Sequence, residues 1–135
     1  MGTRSGAGHF FLNLLRVGTG LLFVQHGAQK LLGTFGFPGP AAFPTLFWFI
    51  GWAETLGGIL VALGLFTRSL AFLFAGEMAV AYLTAHLPAG PFPIANRGEP
   101  AVFFLLIYLF LAANGGGSFG LDGLLQARRR SRPAS

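Results

Sequence analysis

Cysteine is absent from the 135-residue chain, which excludes disulfides, thiolate metal sites and any thiol redox step performed by this chain alone. Charge is scarce as well: 10% of the residues are charged, against about 25% in an ordinary soluble domain. A soluble fold of this length needs a charged surface, and so few charges cannot cover one. The three histidines stand far apart and form no zinc spacing, so no metal site is expected. No nucleotide-binding glycine loop and no haem or flavin motif occurs, and no covalent cofactor is expected either.

What the chain has in abundance is apolar sequence, 53% of it, arranged in long blocks. Lipid is therefore the expected solvent for most of the surface. The net charge of +5 comes largely from Arg128, Arg129, Arg130 and Arg132. That run has no interleaved aromatics and no recognisable reading module, so it does not fit nucleic acid. Beside a membrane span it fits a topology signal and a contact for anionic lipid headgroups. Residues 126–135 accordingly read as a basic cytoplasmic tail.

Four blocks read as spanning helices, over about residues 10–32, 46–66, 69–87 and 100–114. The first is too long for a secretory signal core, runs on through His26 and Lys30, and is followed by three more like it. A span takes about 20 residues at 1.5 Å each. The fourth block falls short, so it is expected to extend through Arg97, to run into the glycines after Asn114, or to sit in locally thinned bilayer. The breaks are GTFGFPGPAAFP from Gly33, the Phe66-Thr67-Arg68 turn, and PAGPFPIANR from Pro88. Connections this short make consecutive helices antiparallel neighbours. The expected fold is all-α: an integral membrane antiparallel four-helix bundle forming one domain over 1–135. Arg4, Arg68 and the four tail arginines fall on one side, Lys30 and Arg97 on the other. The positive-inside rule then places both termini in the cytoplasm of a multi-pass plasma (inner) membrane protein.

Ionisable residues within spans are costly and mark a packing lock or a functional site. Here they are Arg16, His26, Lys30, Glu54, Glu77 and His86. Helical rise puts Arg16 and Glu77 about 9–12 Å from the cytoplasmic ends, and Glu54 about 18 Å. This inner layer reads as an Arg16–Glu77 charge pair or a proton path with Glu54 deeper. An outer layer holds His26, Gln29, Lys30, His86 and Glu99 under the proline- and glycine-rich loops, fit for a polar headgroup or a quinone carbonyl. The competing reading is structural: buried ion pairs set register, Lys30 snorkels, and Arg68 caps a turn. Ala53-xxx-Gly57, Gly58-xxx-Ala62, Gly18 and Gly20 offer small-residue packing surfaces. The sixteen phenylalanines read as lipid-facing or core filler, with a slot for an isoprenoid tail as the alternative.

QHGAQKLLGTFG from Gln25, WAETLGGILVALGLFTR from Trp52, AHLPAG from Ala85 with Glu99 following, and GSFGLDGLL from Gly117 together resemble the DoxX family. The resemblance covers about nine tenths of the chain in the right order. It implies a four-helix membrane protein of bacteria or archaea, in a family named for a subunit of a thiosulfate:quinone oxidoreductase. By position, the family's polar pattern falls on His26, Gln29, Lys30, Glu54, Arg68, His86, Glu99 and Asp122. Two functional readings follow. In the first, the chain is an accessory subunit of a quinone-linked redox system, binding a non-covalent quinone or a lipid beside a redox partner protein. In the second it is a non-catalytic scaffold, assembly or lipid-binding protein. No catalytic constellation supports a stand-alone enzyme, and a homo-oligomer remains open.

Overall fold

The computed structural model describes residues 5–131, so Arg4 and Arg132, two of the cations behind the orientation, lie outside the described residues. Ser5 opens α1 (Gly6–Leu32), its hydroxyl accepting from the Gly8 N–H at 3.2 Å. That cap, rather than hydropathy, sets the helix start, so α1 begins about a turn before the first apolar block. Thr45 caps α2 (Leu46–Leu63) in the same way. The helix stops short of Phe66 because Gly64 turns left-handed at φ 74°. Gly64 and Leu65 then return their N–H groups to Val61 and Leu60, which is the Schellman arrangement that only a residue free of Cβ strain adopts readily.

The third apolar block forms α3 (Thr67–Ala81), which passes into a π turn over Tyr82–His86 and a 3-10 turn over Leu87–Ala89. A one-turn helix α4 (Pro93–Asn96) leads to α5 (Glu99–Asn114), and the described chain closes with α6 (Leu121–Arg130). Among the described residues there are six α-helices and no strand. Three segments are long and apolar enough to cross a membrane: α1, α2, and α3 with its extension to Ala89. At 16 residues α5 is shorter. Neither expected extension occurs, since Arg97 takes φ 60° before it and Gly115 takes φ 76° after it. Arg128, Arg129 and Arg130 of the basic segment form the last turn of a helix that starts at Leu121.

The chain divides into two compact units, Met1–Phe66 with Gly116–Ser135, and Thr67–Gly115. In the first, α1 and α2 run antiparallel at glycine contacts. A Cβ on Gly20 would sit 2.6 Å from the Gly58 carbonyl oxygen and 2.7 Å from the Ala62 nitrogen. One on Gly27 would strike the Thr55 hydroxyl and the Gly51 carbonyl. The Gly58-xxx-Ala62 surface is thus used as the sequence suggests, whereas Gly18 faces open space. In the second unit Ala71, Phe74 and Ala75 of α3 and Ala101, Tyr108 and Leu111 of α5 are buried, and the Phe74 and Tyr108 rings lie 5.3 Å apart. The outward faces are as apolar as the interior: Phe11, Phe49, Phe72 and Phe103 are all more than half exposed. Water does not favour such a surface; acyl chains do.

Candidate functional site

The first unit holds a short ion pair. Lys30 Nζ lies 2.7 Å from Glu54 Oε2, and the two side chains are 13% and 2% exposed. Antiparallel geometry explains the meeting. Helical side chains lean toward their own N-terminus, so Lys30 leans back along α1 while Glu54 leans toward the start of α2. The two approach from about a turn apart on either side. Gly51 makes the room, since a Cβ there would already press on Lys30 Cβ at 3.2 Å. The ammonium also reaches the His26 carbonyl at 3.4 Å, which leaves its third N–H uncommitted. Sequence depth alone assigned Glu54 to an inner layer with Arg16 and Glu77; its ion-pair partner is Lys30.

The loop between α1 and α2 roofs this end of the hairpin. Ala41 donates its N–H to the Lys30 carbonyl at 2.8 Å, and Gln29 Nε2 donates to the Phe35 carbonyl at 2.9 Å. Phe37, Pro38, Pro40, Ala42, Thr45 and Phe47 line an open concavity of about 330 Å³ with mostly apolar walls. His26 packs edge-on against Phe23, ring centroids 5.9 Å apart. Gln29 is therefore a loop anchor by geometry, and Lys30 keeps an N–H beyond its contacts with Glu54 and the His26 carbonyl.

Arg16, 3% exposed, stands at the opposite end of the same hairpin. Its Nη1 donates to the carbonyls of Val61 at 3.1 Å and Ala62 at 2.5 Å, and its Nη2 to Asn13 Oδ1 at 3.1 Å. These carbonyls belong to the last turn of α2, where the Gly64 N–H also reaches Val61 and the guanidinium supplies the donor for Ala62. The cation also answers the negative end of the helix dipole. Asp122, at the start of α6, acts on it electrostatically.

The second unit carries Glu77, His86 and Glu99. His86 Nδ1 lies 3.1 Å from the Asn96 carbonyl, an acceptor only, so Nδ1 is the donor in this bond. Asn96, which sequence reasoning passed over, is buried at 6% exposure. Its amide donates to the Gly90 carbonyl at 2.7 Å and to the Tyr82 hydroxyl at 3.3 Å, and it accepts from the Gly98 N–H at 2.8 Å. An Asn two residues before a glycine in a proline-rich loop was the available signal. Glu99 is exposed in the first turn of α5, where it faces the positive end of the helix dipole. Glu77 is half-buried on α3. Arg68 does not cap its own turn: its Nη1 donates to the Ala113 carbonyl at 2.8 Å, closing the end of α5.

Among the described residues no cluster of three histidine or acidic side chains could hold a metal ion. The fold and site define a helical membrane protein with a buried intrahairpin ion pair. The profile of the DoxX family matches residues 11–87. An uncharacterised protein of Haemophilus influenzae is 40% identical over 84% of this chain and 89% of its own length. A Bacillus subtilis (strain 168) protein named "Putative oxidoreductase CatD" is 36% identical over 81% of this chain and 82% of its own. No solved structure matches the chain. The chain belongs to the DoxX family.

Proposed function

We propose that this chain is an antiparallel four-helix bundle of the plasma membrane with cytoplasmic termini, and that it is an accessory subunit of a quinone-linked redox system. A quinone or a lipid headgroup would be held at Lys30 and Glu54. The observation that carries the reading is the ion pair itself: a carboxylate 2% exposed, an ammonium 13% exposed, and an N–H on that ammonium free to donate to a carbonyl or phosphate oxygen. Glu54 balances the Lys30 ammonium and is the carboxylate adjacent to the site. Protons reaching a bound quinone would pass this pair, while electrons come from a partner oxidoreductase. The aromatic and proline walls from Phe37 to Phe47 suit an apolar tail, and His26 borders the site. The name of the Bacillus subtilis relative supports the redox context.

The second reading is a scaffold or assembly module that binds lipid without chemistry. Gln29 and Arg68 favour it, since the hydrogen bonds each side chain makes go to backbone carbonyls. Mass spectrometry of protein released gently from membranes, with its lipids, separates the two. The wild type is expected to carry a quinone, and Lys30→Met and Glu54→Gln are expected to lose it with the fold intact. Retention of the quinone by both variants would sink the site, and its absence from the wild type would leave the scaffold reading.

A further inference from the structure

The last helix is turned the wrong way round for a protein in water. Leu121, Leu124 and Leu125 stand at i, i+3 and i+4 on one face of α6, and they are 40%, 52% and 52% exposed. The face that packs inward carries Gly123, where a Cβ would meet the Ser118 carbonyl oxygen at 2.7 Å and that of Gly117 at 2.9 Å. Half-buried Asp122 lies beside it. A soluble amphipathic helix buries its leucines and shows its polar side. Here the three leucines stay exposed and no residue of α6 is buried. Asp122 donates its N–H to the Gly64 carbonyl at 2.9 Å, and Gly120 lies directly against Gly64, so α6 is pinned by its first turn to the end of α2.

The surroundings say what covers the leucines. Gly64 closes one of the span-length apolar helices, so α6 leaves the hairpin at the level where a span ends. Phe66 and Phe119, each within two residues of the glycine contact, are 62% and 70% exposed. The last turn of α6 carries Arg128, Arg129 and Arg130 with no acid among them. Arg128 follows Leu124 by four residues on the leucine face, where its stem can lie along acyl chains while its head stays at the surface.

We propose that α6 is an interfacial helix that lies on an anionic phospholipid surface, with Leu121, Leu124 and Leu125 among the acyl chains and Arg128, Arg129 and Arg130 on the phosphates. The three-residue apolar face is too small to hold the helix down firmly without the arginines, so immersion depends on headgroup charge. This goes beyond the Lys30–Glu54 site and does not rest on it.

The absence of cysteine makes the test direct. Single-cysteine variants Leu124→Cys and Gln126→Cys of the full chain are spin-labelled and placed in nanodiscs of phosphatidylcholine alone or mixed with phosphatidylglycerol. Relaxation by oxygen reports acyl chains, and relaxation by a water-soluble nickel chelate reports water. In phosphatidylglycerol discs the label at 124 is expected to favour oxygen and the label at 126 the chelate. Replacing the three arginines with glutamine should lower the ratio of immersed to detached helix by about fivefold per arginine, as should moving to phosphatidylcholine alone. Circular dichroism and thermal unfolding of the triple variant check that the fold survives. A label at 124 open to water in both lipids overturns the proposal. Immersion indifferent to the arginines overturns it as well, and spin–spin broadening that marks a second copy on the leucine face does so too.

Discussion

Breaking the Lys30–Glu54 pair should cost more from one side than from the other. Lys30→Met strands a carboxylate that is 2% exposed, whereas Glu54→Gln strands an ammonium that is 13% exposed on a flexible stem. The lysine can swing its charge outward and the glutamate cannot. Removing one partner of a buried pair costs about 3–5 kcal/mol, and Lys30→Met belongs in that range. Glu54→Gln should cost about 2 kcal/mol, since the amide keeps hydrogen-bonding capacity and the lysine escapes. The double variant has no charge to strand and should lose only about 1–2 kcal/mol. The coupling within the cycle is then about 3 kcal/mol or more.

The assay is equilibrium unfolding of purified protein in mixed micelles, followed by fluorescence. The two tryptophans, Trp48 and Trp52, both lie on α2, so the signal reports the unit that holds the pair. Losses that simply add, with a coupling below about 0.5 kcal/mol, would refute the reasoning. So would a Glu54→Gln variant less stable than Lys30→Met, because that order contradicts the difference in exposure.

Gly20→Leu and Gly58→Val should each separate α1 from α2 and cost at least about 1–3 kcal/mol in the same assay, whereas Gly18→Ala, facing open space, should change stability little. Arg16→Gln should destabilise by about 2 kcal/mol or more and Arg68→Gln by about 1 kcal/mol or less, because the carbonyls at Arg16 are buried or part-buried and those at Arg68 are exposed; equal losses would count against the cap argument. For the proposed orientation, a single cysteine at Ala89 should react with an impermeant thiol reagent in intact cells and one at Ala127 should not. Reaction at Ala127 in sealed cells would reverse it.

Hydropathy and breakers made the helices legible, because a block of apolar residues ended by glycine and proline is a direct record of a span. The ends were less so. Ser5 and Gly64 set the limits of α1 and α2 through hydrogen bonds to backbone, and hydropathy does not weigh those. The helix α6 was hidden because its leucines are few and the arginines beside them read as a basic tail. The site was misgrouped for a geometric reason. Depth was counted from Cα rise, which puts Lys30 and Glu54 in different layers, yet each side chain leans toward the N-terminus of its own helix and antiparallel neighbours lean toward each other. Arg16 looked in need of an acid because carbonyls are not visible as charges in a sequence. They become partners once α2 ends at Leu63 and leaves its last turn open.

Arg16 and Arg68 close helix ends, and Lys30 does not. Each unit is closed by an arginine from its first helix that caps the final carbonyls of its second. Arg16 does so on Val61 and Ala62, and Arg68 on Ala112 and Ala113. A left-handed glycine follows each capped turn, Gly64 in one case and Gly115 in the other. In both the donors point at groups that the helix itself cannot satisfy, and the positive charge meets the negative end of a dipole. A ligand at either arginine would have to draw it away from carbonyls such as those of Ala62 and Ala113, at a cost of about 1–3 kcal/mol for each one left without a partner. Lys30 is differently placed. Its charge is balanced by Glu54 rather than by a helix end, its backbone carbonyl contact is long at 3.4 Å, and an arriving oxygen can take the remaining N–H without breaking the pair. What distinguishes the two ends of the first unit is the partner: Arg16 turns its Nη donors on the end of α2, whereas Lys30 is balanced by a carboxylate and keeps an N–H for an arriving oxygen.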